Sequence, residues 1–113
     1  MQRIEATFDI DHLDQVMRAV RSLRVPCHMT ASEVRYADEK ISHNHQYRGA
    51  RYEVPWETRA RLEVVVSDKE AESVIGVLVA SLDKDRKIDD ALLISEVGDA
   101  LRIRSGRRGE FAF

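Results

Sequence analysis

At 113 residues the chain is long enough for one domain with a buried core, yet short enough that self-association commonly adds stability. Hydrophobic residues make up 43% and charged residues 34%, a globular balance, and the net charge of −2 argues against a general polyanion binder. A single cysteine, Cys27, leaves no partner for an intrachain disulfide, and no apolar run approaches the roughly 18 residues of a membrane span, so a soluble cytoplasmic protein is expected.

The chain opens on an alternating stretch, Gln2 to Ile10, with Ile4, Ala6, Phe8 and Ile10 on one side and Arg3, Glu5, Thr7 and Asp9 on the other. That pattern predicts a half-buried strand. Asp11 is placed to cap a helix, after which Leu13, Val16, Met17, Val20 and Leu23 fall at helical spacing. Pro26 closes the helical region, because the residue before a proline is pushed out of the helical well. Cys27 to Tyr36 predicts a second strand.

Tyr36 to Trp56 is different in kind. It is polar and shows no clean period of 2 or 3.6, and it holds all three tyrosines, the only tryptophan and two of the four histidines. A connection of this length inside a small domain is uncommon and usually functional. It reads as a mobile recognition arm between two strands.

Arg59 to Val66 resumes the alternation, with Ala60, Leu62, Val64 and Val66 facing one way and Arg59, Arg61, Glu63 and Val65 the other. Ser67 and Glu70 have capping-box spacing for a second helix. Its apolar stripe is Ala71, Val74, Ile75, Leu78, Val79 and Leu82. A charged connection, Asp83 to Asp90, leads to Ala91–Val97, apolar enough for a buried strand, and Leu101–Arg104 predicts a short basic one. The order is strand, helix, strand, arm, strand, helix, strand: two similar βαβ halves. Right-handed crossovers fold such a chain into an antiparallel sheet with both helices on one face, the ferredoxin-like α+β sandwich, over residues 1–113 as one domain. The other face, carrying Arg59, Arg61 and Glu63, would be bare in a monomer, and self-association is the usual way to cover it.

Three constellations bear on function. Arg102 and Arg104 alternate with Leu101 and Ile103, so their guanidinium groups are expected on one face, and Ser105-Gly106 adds a turn whose amides could meet an anion. A solvated basic strand is the plainer reading. His43 and His45 offer two imidazoles, with His12, His28 and Cys27 elsewhere, but structural zinc sites use three or four protein ligands, and polar loop residues are the plainer reading here too. Tyr47, Arg48, Gly49, Arg51 and Tyr52 combine a bend-permitting glycine with residue types favoured at binding hot spots; the rival is that Tyr47, Tyr52 and Trp56 pack on the arm's own base. The chain has no Walker-type loop, GxGxxG, G-x-S-x-G or HExxH, no strand-borne aromatic cluster of the RNA-recognition type and no evident nucleophile–base pair. Neither catalysis nor nucleic-acid binding is indicated.

Taken together, Tyr47–Tyr52 (YRGARY) and Arg102–Gly106 (RIRSG) resemble the PII signal-transduction family. The likeness extends to Arg3–Ala6, Leu13–Val16, Met29–Val34 and Arg61–Val66, with spacing kept almost without gaps to Phe113. It implies a ferredoxin-like homotrimer with an adenine nucleotide (ATP, ADP or AMP) in the clefts between subunits. Residues 36–56 would be the family's T-loop, which docks onto a membrane transporter or metabolic enzyme. Thr30, Glu63, Val65, Arg102 and Arg104 match family residues that line the nucleotide cleft. Arg59 falls where the family usually has a lysine facing phosphates or a 2-oxo acid, and Tyr52 where some members are nucleotidylated. Two family features are replaced. Asp38-Glu39-Lys40 stands where the family has a glycine, arginine and glutamine, the glutamine helping to hold magnesium and 2-oxoglutarate, and Lys87 to Ala91 (KIDDA) stands for the Gly-Asp-Gly-Lys phosphate loop. Acidic residues near a triphosphate are unfavourable by on the order of a kcal/mol. The expectation is a non-catalytic, trimeric regulator binding ADP or AMP at least as tightly as ATP and indifferent to 2-oxoglutarate. A trimeric metal-binding protein using His43 and His45 is the alternative.

Overall fold

The computed structural model describes residues 1–37, 43–47, 50–54, 56–82 and 91–113, with 43–47 and 50–54 described through their backbone alone. Six strands and two helices are present among them: β1 (Gln2–Phe8), α1 (Leu13–Ser22), β2 (Cys27–Ala37), β3 (His43–Tyr47), β4 (Ala50–Val54), β5 (Trp56–Val66), α2 (Asp68–Leu82) and β6 (Leu93–Glu96). Short 3-10 turns sit at Ile10–His12 and Gly109–Ala112. Strands β2, β5, β1 and β6 form a four-stranded sheet in that order, every neighbouring pair antiparallel. This is the ferredoxin-like α+β architecture expected from the order of elements.

Alternation decides which face is buried. Ile4, Ala6 and Phe8 of β1 meet Ala60, Leu62, Val64 and Val66 of β5 on one side of the sheet. Val16 and Val20 of α1 and Ala71, Val74 and Leu78 of α2 close over them. Each fully buried side chain of this kind contributes about 1.5–3 kcal/mol relative to exposure, so the two central strands and two helix stripes hold the fold.

Several boundaries differ from the pattern-based expectation. The first cap is Asp9, not Asp11. Its carboxylate accepts the Asp11 amide at 3.0 Å and starts the 3-10 turn that precedes α1. At the other end, α1 stops before Pro26 acts: the Leu23 and Arg24 amides return to the Val20 and Arg21 carbonyls, and Arg24 adopts a positive φ of 54°. At the start of α2 the Glu70 amide donates to the Ser67 carbonyl at 3.1 Å, a backbone bond in place of the reciprocal side-chain bonds of the expected capping box. Val79 is exposed, however, because the contact line runs through Ala71, Val74 and Leu78 and position 79 falls beyond its edge.

Strand β6 is shorter than the apolar run and is not buried; Leu93 and Ile94 are 60% and 50% exposed. Among the described residues it is an edge strand paired with β1 alone, and composition does not separate an edge from a centre. Residues 36–56 also depart from expectation. β2 runs on to Ala37, β5 begins at Trp56, and β3 with β4 makes a separate two-stranded ladder from His43↔Val54 to Tyr47↔Ala50. A hairpin outside the main sheet owes no apolar face to the core, so it carries no period-2 hydrophobic signal.

Candidate functional site

β1 ends at Phe8, opposite Ala60, whereas the β2–β5 ladder continues through Val34↔Arg59, Arg35↔Thr58, Tyr36↔Glu57 and Ala37↔Trp56. A two-stranded ribbon therefore extends past the core and forms the root of the arm. Two diagonal arginine–aromatic stacks brace it, one on each face. The Arg35 guanidinium lies 4.5 Å from the Trp56 ring centroid, and that of Arg59 lies 3.8 Å from the Tyr36 ring. The Arg59 Nε and Nη2 groups also donate to Glu57 Oε1 at 2.5 Å. Arg59 was expected on a bare face, but it is only 9% exposed. The ring of Tyr36 and the carboxylate of Glu57, both on the same face, cover it.

Farther along that open face the charges interlock. Glu5 and Glu63 are direct register partners, an unfavourable like-charge pair taken alone. Each has a diagonal arginine: Arg3 Nε to Glu63 Oε1 at 3.1 Å, and Arg61 Nε to Glu5 Oε1 at 3.6 Å. Thr30 is exposed on β2 directly across from Glu63, and Val65 follows two residues on. Thr30, Glu63 and Val65 are thus gathered on one patch, with Arg59 on the same face nearer the arm.

Arg102 and Arg104 belong to another element. Leu101–Arg104 is not a strand; only Leu101 bridges, to Arg108. The Arg102 amide donates to the Arg107 carbonyl and the Gly106 amide to the Arg102 carbonyl, both at 2.8 Å, closing a tight turn around Ile103–Ser105. Gly106 has φ +72°, a conformation that favours glycine, and its amide is committed to the turn rather than offered to an anion. Asp99 fastens the loop. Its Oδ2 accepts from Nε of Arg108 at 3.0 Å and from Nη2, and its Oδ1 takes the Ala100 and Gly109 amides at 2.8 and 3.3 Å. These bonds, that from Arg108 foremost, hold the Asp99 carboxyl below the usual carboxylate range. Arg102 and Arg104 are left exposed, with Ile103 between them at 98%.

No family model matches the chain. Curated relatives do. Nitrogen regulatory protein P-II of Cereibacter sphaeroides is 33% identical over 112 residues, covering 99% of both chains. That of Rhizobium meliloti is 31% identical over 96% of both, and P-II 2 of Methanothermobacter thermautotrophicus is 30% identical over 99% of this chain and 96% of its own. The chain belongs to the PII family. A crystal structure of Arabidopsis thaliana PII bound to citrate, 24% identical, shares the fold with a TM-score of 0.77 over 99% of this chain and 91% of that one.

Within this PII chain the cleft-type residues expected from sequence lie on two elements, the β2–β5 patch and the Asp99-fastened loop. Arg48 and Gly49 lie outside the described residues, as do Asp38–Lys40 and Lys87–Asp90 and the side chains of His43, His45, Tyr47, Arg51 and Tyr52. Trp56 packs at the arm's base, as one of the two sequence readings had it. Among the described residues no group of three or more His, Cys, Asp or Glu side chains is placed to hold a metal ion. His12, His28 and Cys27 form no such site, and burial raises the Cys27 thiol above its ordinary pKa despite Arg21 nearby. Sequence reasoning missed Asp99, Glu57 and Tyr36. Asp99 had only its distance from Arg108 as a signal, and nothing local marks a pair closed by a loop.

Proposed function

We propose that this PII-family protein is a non-catalytic regulator that works as a homotrimer, binds an adenine nucleotide between subunits and acts on a partner protein through residues 36–56. The observation that carries this reading is the loop fastened by Asp99, which presents Arg102 and Arg104 to solvent on a defined turn rather than on a flexible tail. Guanidinium groups keep their charge at physiological pH and match phosphate oxygens with forked donors. On the other element, Thr30 offers a hydroxyl and Arg3 neutralises Glu63 beside it, with Val65 on the same face but only 7% exposed. A subunit interface bringing the loop of one chain to the sheet patch of another would supply both ends of a nucleotide site. No described helix is long and apolar enough to cross a membrane. A cytoplasmic regulator docking onto a transporter or metabolic enzyme fits that observation.

Ligand choice follows from the acidic substitutions. By the family resemblance, Asp89 and Asp90 stand in place of the glycines and lysine expected to wrap the outer phosphates, and Lys40 in place of the glutamine expected to hold magnesium. ADP or AMP should therefore bind at least as tightly as ATP, with no response to 2-oxoglutarate. The ligand contacts one arm conformation better than another and shifts its population. Calorimetric titration with ATP, ADP and AMP, with and without 2-oxoglutarate, tests this. Tight ATP binding enhanced by 2-oxoglutarate, or no nucleotide binding at all, would overturn it. Light scattering giving a monomer mass at micromolar concentration would remove the trimer.

A further inference from the structure

A like-charged pair across the backbone recurs in the C-terminal loop, but here without neutralising neighbours. On the open sheet face Glu5 opposes Glu63, and Arg3 and Arg61 supply the counter-charges. In the loop, Leu101 bridges Arg108, with the Arg102 amide on the Arg107 carbonyl at 2.8 Å and the Gly109 amide on the Ala100 carbonyl at 2.9 Å. That antiparallel register sets Arg102 directly opposite Arg107, about 5.5 Å apart at Cα, so both side chains leave the same side. Arg104 follows in the turn between them. Asp99 is committed to Arg108, and Glu110, the next carboxylate along the chain, pairs with none of these arginines. Among the described residues, Arg102, Arg104 and Arg107 make no ion pair and donate no side-chain hydrogen bond. A flexible tail would relieve the repulsion by spreading the charges apart. This loop is closed by its bridge, fastened by Asp99 and held near its tip, where Ser105 Oγ accepts the Arg107 amide at 3.3 Å. Like charges fixed at this spacing are unfavourable until an anion enters between them.

We propose that Arg107 is a third anion-binding residue beside Arg102 and Arg104, and that the three guanidiniums together select a diphosphate group over a single phosphate. This selection rests on the reading that the loop receives a nucleotide's phosphates, and it makes a nucleoside diphosphate the preferred ligand. A carboxylate brings one charge and matches one guanidinium. A phosphate monoester carries about −1.5 to −2 at neutral pH, enough for two. A second phosphoryl group, with its own charge and acceptor oxygens, gives the third guanidinium a counter-ion. No bond is made or broken; the contacts are charge-assisted hydrogen bonds alone. Because the backbone of the turn is already fixed, little of it has to be ordered when the anion arrives.

The test is calorimetric titration of the full chain with AMP, ADP and inorganic pyrophosphate at fixed salt. Wild type is compared with Arg107→Gln, Arg107→Lys and Arg18→Gln, the last removing the same charge from the exposed face of α1. Wild type is expected to bind ADP at least about tenfold more tightly than AMP. Arg107→Gln should lose about tenfold or more in ADP affinity, the effect of one charge-assisted hydrogen bond, while AMP affinity falls much less. Arg107→Lys should recover part of the loss, and Arg18→Gln should bind as wild type does. Pyrophosphate binding that depends on Arg107 would show that the diphosphate is read by itself. Dependence of ADP alone would show that a nucleoside must carry it, and either result supports the proposal. Normal ADP binding by Arg107→Gln would overturn it and leave the nucleotide reading standing. So would an equal loss in Arg18→Gln, a loss as large for AMP as for ADP, or wild type binding the two nucleotides equally. Wild type that binds neither nucleotide would overturn both. Light scattering covers a structural role: a changed particle mass in Arg107→Gln, with ADP affinity intact, would assign Arg107 to a subunit contact and overturn the proposal.

Discussion

The guanidinium of Arg59 stacks 3.8 Å from the ring centroid of Tyr36 while donating to Glu57, so one arginine joins β5 to β2 where the arm leaves the sheet. At 9% exposure Arg59 is screened little by solvent, and its removal takes away both the stack and the counter-charge of Glu57. A desolvated cation–π contact is worth about 2 kcal/mol. Arg59→Ala should destabilise the protein by about 2 kcal/mol. Arg59→Lys, which keeps charge but loses the planar stack, should cost less. Urea unfolding followed by far-UV circular dichroism decides; equal midpoints for wild type and Arg59→Ala would show that the stack carries no weight.

Leu62 sits fully buried at the centre of β5, between β1 and β2 and under both helices. Leu62→Ala should cost about 2–5 kcal/mol, since Leu62 lies within the buried cluster that joins β1, β5 and both helices. Replacing exposed Val79 with alanine should change stability by less than about 0.5 kcal/mol. The contrast between two apolar residues, read from denaturant midpoints, tests the assignment of the buried face.

The Arg3–Glu63 and Arg61–Glu5 bridges lie on the open face and are partly exposed, so each should be worth only about 0.2–1 kcal/mol, and less in high salt. Their importance is in cancelling the Glu5–Glu63 opposition. A double-mutant cycle on Arg3 and Glu63 should give a coupling energy that falls as sodium chloride rises from 0.05 to 0.5 M (about 14 to 4 Å Debye length). A coupling that ignores salt would contradict the assignment.

Asp99 provides a pH-dependent element. Its carboxyl is held below the ordinary range chiefly by Arg108, with the Ala100 and Gly109 amides contributing. A depressed folded-state pKa means the stabilisation is fully present above the unfolded value of about 3.9 and is lost as pH falls through the folded value. The loop from Asp99 to Gly109 should therefore stay closed at neutral pH and open in strong acid. Asp99→Asn should loosen it at all pH values. Amide exchange at Gly106 and Gly109 reports this; protection unchanged in Asp99→Asn would refute it.

If the loop presents phosphate-binding arginines, Arg104→Glu should cost at least roughly 2 kcal/mol of nucleotide affinity, because charge-assisted hydrogen bonds are worth about 1.5–3 kcal/mol. Asp99→Asn should weaken binding more modestly, by disordering the loop rather than removing a donor. Normal nucleotide binding by Arg104→Glu would place the phosphates elsewhere.

Periodicity alone determined the order of the main-sheet strands and the two helices, the buried face of β1 and β5, and both helix stripes apart from Val79. Burial of alternate or every-third-and-fourth residue must be written locally into the sequence for the core to form. The matching motifs around Tyr47–Tyr52 and Arg102–Gly106 likewise fixed the family. Only the tertiary structure decided features that depend on a neighbour distant in the chain. Arg59 has the same sequence signature as exposed Arg61, and Tyr36 across the ladder is what covers it. Leu93 and Ile94 look like core residues until β6 is seen at the sheet edge, with β1 its one strand neighbour among the described residues. The hairpin 43–54 gave no hydrophobic alternation because its ladder is held by backbone bonds outside the core, and backbone hydrogen bonds leave little trace in side-chain composition.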